Sequence, residues 1–218
     1  MSNVLTTGTI FAIGALSGVN FTLAAVSNAN PAVAQLSAAH GIAPNELMAL
    51  KSGWSRLNDR IVRAAAVATN DVTLEGINSL NTSVFLPGSG VGTGQEVTAG
   101  AWVEITQVLE DWAPSGGDIN WGQLQYAATD IGVRYPRSRN PVTMSLPFAF
   151  DASLPWLPTV RLASELRTPV PFRIRYPSGA LAYAMAYFNL RDSPQPQDGA
   201  LVDQLDLSLL TQPTLYAS

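Results

Sequence analysis

The sequence predicts a mainly β protein, a β-sandwich or barrel with one flanking α-helix. Three observations carry that prediction. Apolar side chains recur chiefly with period two, in short runs of strand length. Seventeen glycines and 15 prolines cut the chain between those runs. Only residues 151–168 combine helical spacing with both a start and a stop signal. Many short strands with one late helix pack as layered sheets with a helix on one face.

The best-specified element is residues 170–190. Phe172, Ile174 and Tyr176 alternate with Arg173 and Arg175, and Tyr176-Pro177-Ser178-Gly179 supplies turn chemistry. The chain then resumes with Leu181, Tyr183, Met185 and Tyr187 on one face and Ala182, Ala184 and Ala186 on the other. This is a β-hairpin whose aromatic side chains belong to a core.

Taken from the start, residues 8–14 and 20–26 read as strands, with Gly18-Val19-Asn20 as a turn between them. The 19 residues from Gly8 to Val26 are uncharged. They are not read as a secretory signal or a membrane span, because no positive n-region precedes them and Ser17, Asn20 and Thr22 dilute the apolar run. Ala32-Val33-Ala34 mimics a cleavage site only through alanine-rich sequence. Ser27-Asn28-Ala29-Asn30-Pro31 is a turn cluster. Residues 32–68 support two readings: helix formers fill 46–51 and 55–68, while Gly41, Pro44, Gly53 and Leu57-Asn58-Asp59 chop the segment into strand-sized pieces.

Residues 79–100 hold Pro87 and glycines at 88, 90, 92, 94 and 100, and read as a long flexible loop. The spacing lacks the Lys-Ser/Thr of a phosphate-binding loop. Residues 102–112 alternate as one strand. Residues 113–141 show no strong periodicity and read as a second long loop, a length that is usually functional. A strand at 142–150 precedes the helix. Ser153 or the Pro155/Pro158 pair opens that helix, Val160, Ala163 and Leu166 share its face, and Thr168-Pro169 ends it. After 170–190 come a polar loop through Gly199 and a final strand at 201–210. Gln212-Pro213-Thr214 ends the fold.

Composition narrows the function. Charged residues make up 13% of the chain, about half the usual ~25%. Its surface is therefore rich in neutral polar groups or is covered by neighbours. The net charge of −4 gives no basic footprint for nucleic acid. Without cysteine there is no disulfide or thiolate site. His40, the one histidine, lies in a turn with no nucleophile motif and reads as a local backbone partner. Glu104, Glu110 and Asp111 read as a solvated edge rather than a glycosidase pair. Asp192, Asp198, Asp203 and Asp206 lack calcium-loop spacing. No catalytic constellation, cofactor site or metal site emerges. Arg134, Arg137 and Arg139, with Tyr135, form the one basic knot. It is either a solvated loop or a partner for carboxylates on a neighbouring subunit.

In order along the chain, several stretches resemble the tail tube proteins of long-tailed bacteriophages. They are the T-T-G-T start at Thr6 to Thr9, I-T-Q-V at Ile105 to Val108, G-V-R-Y at Gly132 to Tyr135, a helix near 155–167 and F-R-I-R-Y-P-S-G at Phe172 to Gly179. Residues 27–80 are similar to a small β-module of phage tail proteins, through His40-Gly41, Trp54 to Asn58 and Asn70 to Gly76. Asn45-Glu46 departs from the family-typical Gly-Asp. The module implies strands at about 33–37, 46–51, 60–67 and 72–76. The resemblance implies one tail-tube-like domain over 1–218, with the 27–80 module inserted in it and long loops at 81–101 and 113–141. It further implies a virion protein synthesised in the host cytoplasm. Six copies would close into a ring, and rings would stack into a tube that DNA crosses without specific binding. Tape-measure, tail-tip and terminator proteins would be partners, with no cofactor and no membrane. Loop 113–141 is assigned to ring stacking and 86–100 to a second contact. Trp121, Tyr126, Arg134, Tyr135, Arg137 and Arg139 are the candidate inter-subunit residues. Two alternatives stand beside this reading: another virion assembly protein, such as a terminator or fibre-associated module, and a carbohydrate-binding sandwich using Trp102, Trp112, Trp121 and Trp156.

Overall fold

A computed structural model describes residues 8–98, 100–127 and 130–217. The Thr6–Thr9 stretch lies largely outside them. After β1 (Ile10–Ile13), β2 (Leu16–Val26) opens a closed six-stranded barrel completed by β3 (Val33–Leu36), β4 (Leu47–Ser52), β5 (Arg60–Ala68), β6 (Asp71–Leu74) and β7 (Gly92–Val97). The spatial order is β2-β3-β6-β5-β4-β7, antiparallel throughout. Closure removes the exposed edges a small sheet would otherwise offer. Leu23, Met48, Leu50, Val62 and Leu74 fill the barrel, each fully buried.

The helix–strand ambiguity over 32–68 resolves to three strands, β3, β4 and β5, which with β6 make the four expected from the module. Ile61 and Val62 show why. They are adjacent and both fully buried, yet in different cores, as two successive side chains of a strand between two apolar layers must be. Gly18-Val19-Asn20 is not a turn. It lies inside β2, where Gly18 has φ +75° and the register with β7 shifts between Leu16 and Asn20, the mark of a bulge.

The expected 79–100 loop is corrected more strongly, since its second half is β7, the strand that closes the barrel between β2 and β4. Its glycines answer to packing. A Cβ on Gly92 would sit 1.9 Å from the Lys51 carbonyl oxygen, and one on Gly94 would sit 2.5 Å from the Phe21 ring.

A larger sheet follows. Its strands are β8 (Val103–Ile105), β9 (Ala113–Gly116), β12 (Val142–Ala149), β13 (Val170–Arg175), β14 (Leu181–Leu190) and β16 (Ala200–Leu209), with β15 (Gln195–Gln197) on β16 and β17 (Thr214–Tyr216) on β14. Between β9 and β12, β10 (Ile119–Leu124) and β11 (Val133–Arg139) pair only with each other. The order is β8-β1-β13-β14-β16-β12-β9.

The single strand expected at 102–112 is broken. Its first part pairs with β1, Gln107 turns at φ +62°, and Val108 then bridges Phe148 on β12. The chain here crosses from one sheet edge to the other, so the sheet is rolled. An edge-to-face contact between Phe11 and Trp112, centroids 5.2 Å apart, joins the two sides.

The hairpin β13–β14 forms as expected and organises three layers. Ala182, Ala184, Ala186 and Phe188 face the core beneath helix α1 (Leu157–Leu166), against Trp156, Leu157 and Val160. Tyr183 and Met185 point the other way and meet Leu47, Ile61 and Val97 of the barrel. Tyr187 lies beyond the barrel's cover and is 44% exposed, so it is not core.

The helix differs from expectation in its caps and its face. Ser153 bonds to Asp151 instead of capping, and Trp156 takes the cap position with Pro158 in the first turn. The buried face is Leu157, Val160 and Ala163. Leu166 lies about 180° round from Leu157 at ~100° per residue, and is exposed. The chain also continues past Gln212-Pro213: in β17, the Tyr216 hydroxyl accepts the Arg63 N–H at 2.8 Å and ties the terminus to the barrel.

Candidate functional site

The 113–141 stretch is not a loop. It holds β9 and the hairpin β10–β11, which projects from the body as its own two-stranded sheet. Its alternation is hidden in the sequence because Gly122, Pro136 and a register shift at Asn120/Trp121 interrupt it. One face carries Tyr135, Leu124 and Val133, with the Tyr135 ring over Gly122, where a Cβ would come within 2.4 Å of it. The other carries Trp121, Gln123, Arg134 and Pro136, and the Arg134 guanidinium lies 5.5 Å from the Trp121 ring centroid.

Trp121 is 52% exposed, Tyr126 60%, Ile131 80% and Val133 52%. A lone two-stranded hairpin is marginal in water, and clustered exposed apolar side chains mark an interaction surface. Of the six candidate residues, the structure brings Trp121 and Arg134 together on one face of the hairpin and sets Tyr135 on the opposite face. It sets Tyr126 past the end of β10, Arg137 at the register shift and Arg139 at the hairpin's base.

Arg137 and Arg139 share a cleft of about 620 Å³ with Arg56 and Arg60 from the barrel. Sequence reasoning missed those two. Nothing in chain order links them to the hairpin nearly eighty residues later. The Arg60 guanidinium donates to the Thr214 hydroxyl at 2.9 Å, and burial holds its pKa below the usual arginine value.

Elsewhere, polar groups serve the fold. His40 accepts the Ile42 N–H on Nδ1 and donates from Nε2 to the Thr69 carbonyl at 2.9 Å. The four aspartates of 192–206 are dispersed. Asp192 pairs with Arg161, Asp206 with Arg191, and Asp203 is buried against the Gln204 N–H. Among the described residues no three His, Asp or Glu side chains gather to hold a metal ion. The tryptophans form no platform: Trp156 is buried on Phe148, Trp112 packs on Phe11, and Trp102 lies between Tyr183 and Arg173. Among the described residues no helix is long and apolar enough to cross a membrane.

A rolled sheet, a closed barrel and a projecting hairpin with exposed aromatic and aliphatic side chains are the features of a structural protein that assembles. Residues 52–218 match the family model for phage tail tube protein, TTP, and the chain belongs to that family. It is a β-rich structural component of a phage tail. No curated protein matches the chain.

Proposed function

We propose that six copies of this chain close into a ring and that rings stack into the tube through which DNA leaves the capsid. The projecting hairpin β10–β11 carries this reading. Its apolar side chains are exposed in the single chain and would be covered by a neighbouring copy. In this reading residues 1–218 act as one tail-tube-like domain with the 27–80 module within it. The hairpin makes the ring–ring contact through Trp121, Tyr126, Arg134 and Tyr135, and the part of 86–100 that precedes β7, with Leu86 and Val91 exposed, makes a second contact. DNA slides rather than sticks, because the chain's net charge is negative and binding needs cationic phosphate contacts. Tape-measure, tail-tip and terminator proteins meet the tube at its ends and along its lumen, with synthesis in the host cytoplasm.

Negative-stain electron microscopy of the concentrated protein, with light scattering for mass, tests this. Stacked rings with a central hole in the wild type, lost on deleting 118–135, support it. A monomer that fails to assemble even with tail-tip complexes refutes it.

A further inference from the structure

The cleft at the hairpin's base is lined by four arginines. Arg56 comes from the turn before β5, Arg60 from the start of β5, and Arg137 and Arg139 from β11, with Thr211 and Gln212 along one wall. Four of the chain's 12 cationic side chains meet there, and no carboxylate lines it. Among the described residues, the ion pairs are Arg63–Glu75, Arg161–Asp192 and Arg191–Asp206, and none of the four cleft arginines is in them. Converging guanidinium forks suit planar anions bound bidentately.

The chain carries 16 carboxylates, and only Glu110 and Asp111 are adjacent in sequence. Both are exposed, in the turn that leads into β9. That turn and the cleft lie at opposite ends of one ladder. At one end the Leu109 N–H donates to the Pro147 carbonyl at 2.8 Å. At the other, Gly116 faces Val142, three residues from Arg139. The five residue steps from Val142 to Pro147 span about 17 Å of strand. Acid at one end and base at the other is a head-to-tail arrangement, which a repeated translation or rotation can satisfy copy after copy.

We propose that the Arg56–Arg60–Arg137–Arg139 cleft binds the Glu110–Asp111 turn of a second copy of this chain. The inference rests on the tube reading and supplies it with one specific contact. Charge complementarity favours this occupant over nucleic acid, since the surroundings of the cleft belong to a net-negative chain that would repel a polyanion.

Charge reversal and rescue test it on the full chain. Arg137→Glu with Arg139→Glu, and separately Glu110→Lys with Asp111→Lys, each raise the critical concentration for rings or tubes at least tenfold, read by sedimentation and microscopy. The four-site variant, with both ends reversed, returns to within threefold of wild type. No rescue in the four-site variant overturns the pairing. So does wild-type assembly with both double variants unaffected, which leaves the tube reading standing. Failure of the wild type to form rings or tubes with tail-tip complexes overturns the tube reading and the pairing together. Loss confined to the arginine variant, together with salt-dependent wild-type retention of a short DNA duplex, reassigns the cleft to phosphate.

Discussion

Replacing Gly92 by alanine separates two physical descriptions of the 79–100 stretch by the sign of one measurement. In a flexible loop at a compatible backbone angle, Gly→Ala stabilises by about 0.4–1 kcal/mol, because it trims the entropy of the unfolded chain. In the barrel seam the added Cβ would sit 1.9 Å from the Lys51 carbonyl oxygen and 3.0 Å from the Ser52 Cα. Both are backbone atoms of the neighbouring strand β4, so no rotamer change relieves the contact. The β4–β7 ladder must open near Ser52↔Gly92, and Gly92 also pairs with Leu23 of β2. Overpacking of this kind costs about 3 kcal/mol, at the upper end of the usual range. For a chain of this size that lowers Tm by about 6–12 °C. Gly132→Ala is the control. Its Cβ would meet the far end of the Gln123 side chain at 3.0 Å and the Leu124 carbonyl oxygen at an ordinary 3.6 Å, so its effect stays within about 0.5 kcal/mol. Thermal unfolding followed by circular dichroism reads all three proteins. A Gly92→Ala variant as stable as wild type, or more so, refutes the seam.

Other predictions concern the ties between layers. Tyr216→Phe removes the acceptor for the part-buried Arg63 N–H and costs about 1–3 kcal/mol in urea unfolding, the penalty of a stranded donor. Glu75 accepts two bonds from Arg63, at 2.5 and 2.6 Å, and the bonded guanidinium holds its carboxyl below the ordinary value. A lowered carboxyl pKa stabilises above the unfolded value near 4.5 and stops doing so as pH falls through the folded value. Glu75→Gln therefore costs about 0.5–1 kcal/mol at neutral pH for this partly exposed pair, and its unfolding curve merges with wild type in acid. Deleting 118–135 leaves Tm within about 2 °C, because the hairpin shares no core with the body. The same deletion abolishes stacking in electron micrographs.

Some of this was legible from the residues. Alternation across Phe172–Arg175 and Leu181–Tyr187, joined by Pro177-Ser178-Gly179, determined β13 and β14 before any tertiary contact was known, because period and turn chemistry agree. The same holds for the site of the helix. Which helical face is buried was not legible: Leu166 and Leu157 are equally apolar, and only the rolled sheet selects Leu157. The candidate hairpin residues Trp121, Arg134 and Tyr135 could be named from composition, but their strands could not, since Gly122, Pro136 and a bulge erase the period.

A mainly β chain with one late helix, poor in charge and without cysteine or a catalytic motif, follows from composition and periodicity alone. The remainder depends on contacts between residues far apart in the chain. Glycine carries no hydrophobic signal, so β7 is visible only where the Lys51 backbone and the Phe21 ring press against it. A cleft built from Arg56, Arg60, Arg137 and Arg139 has no local pattern, because charges far apart in sequence become neighbours only when the barrel and the hairpin are in place.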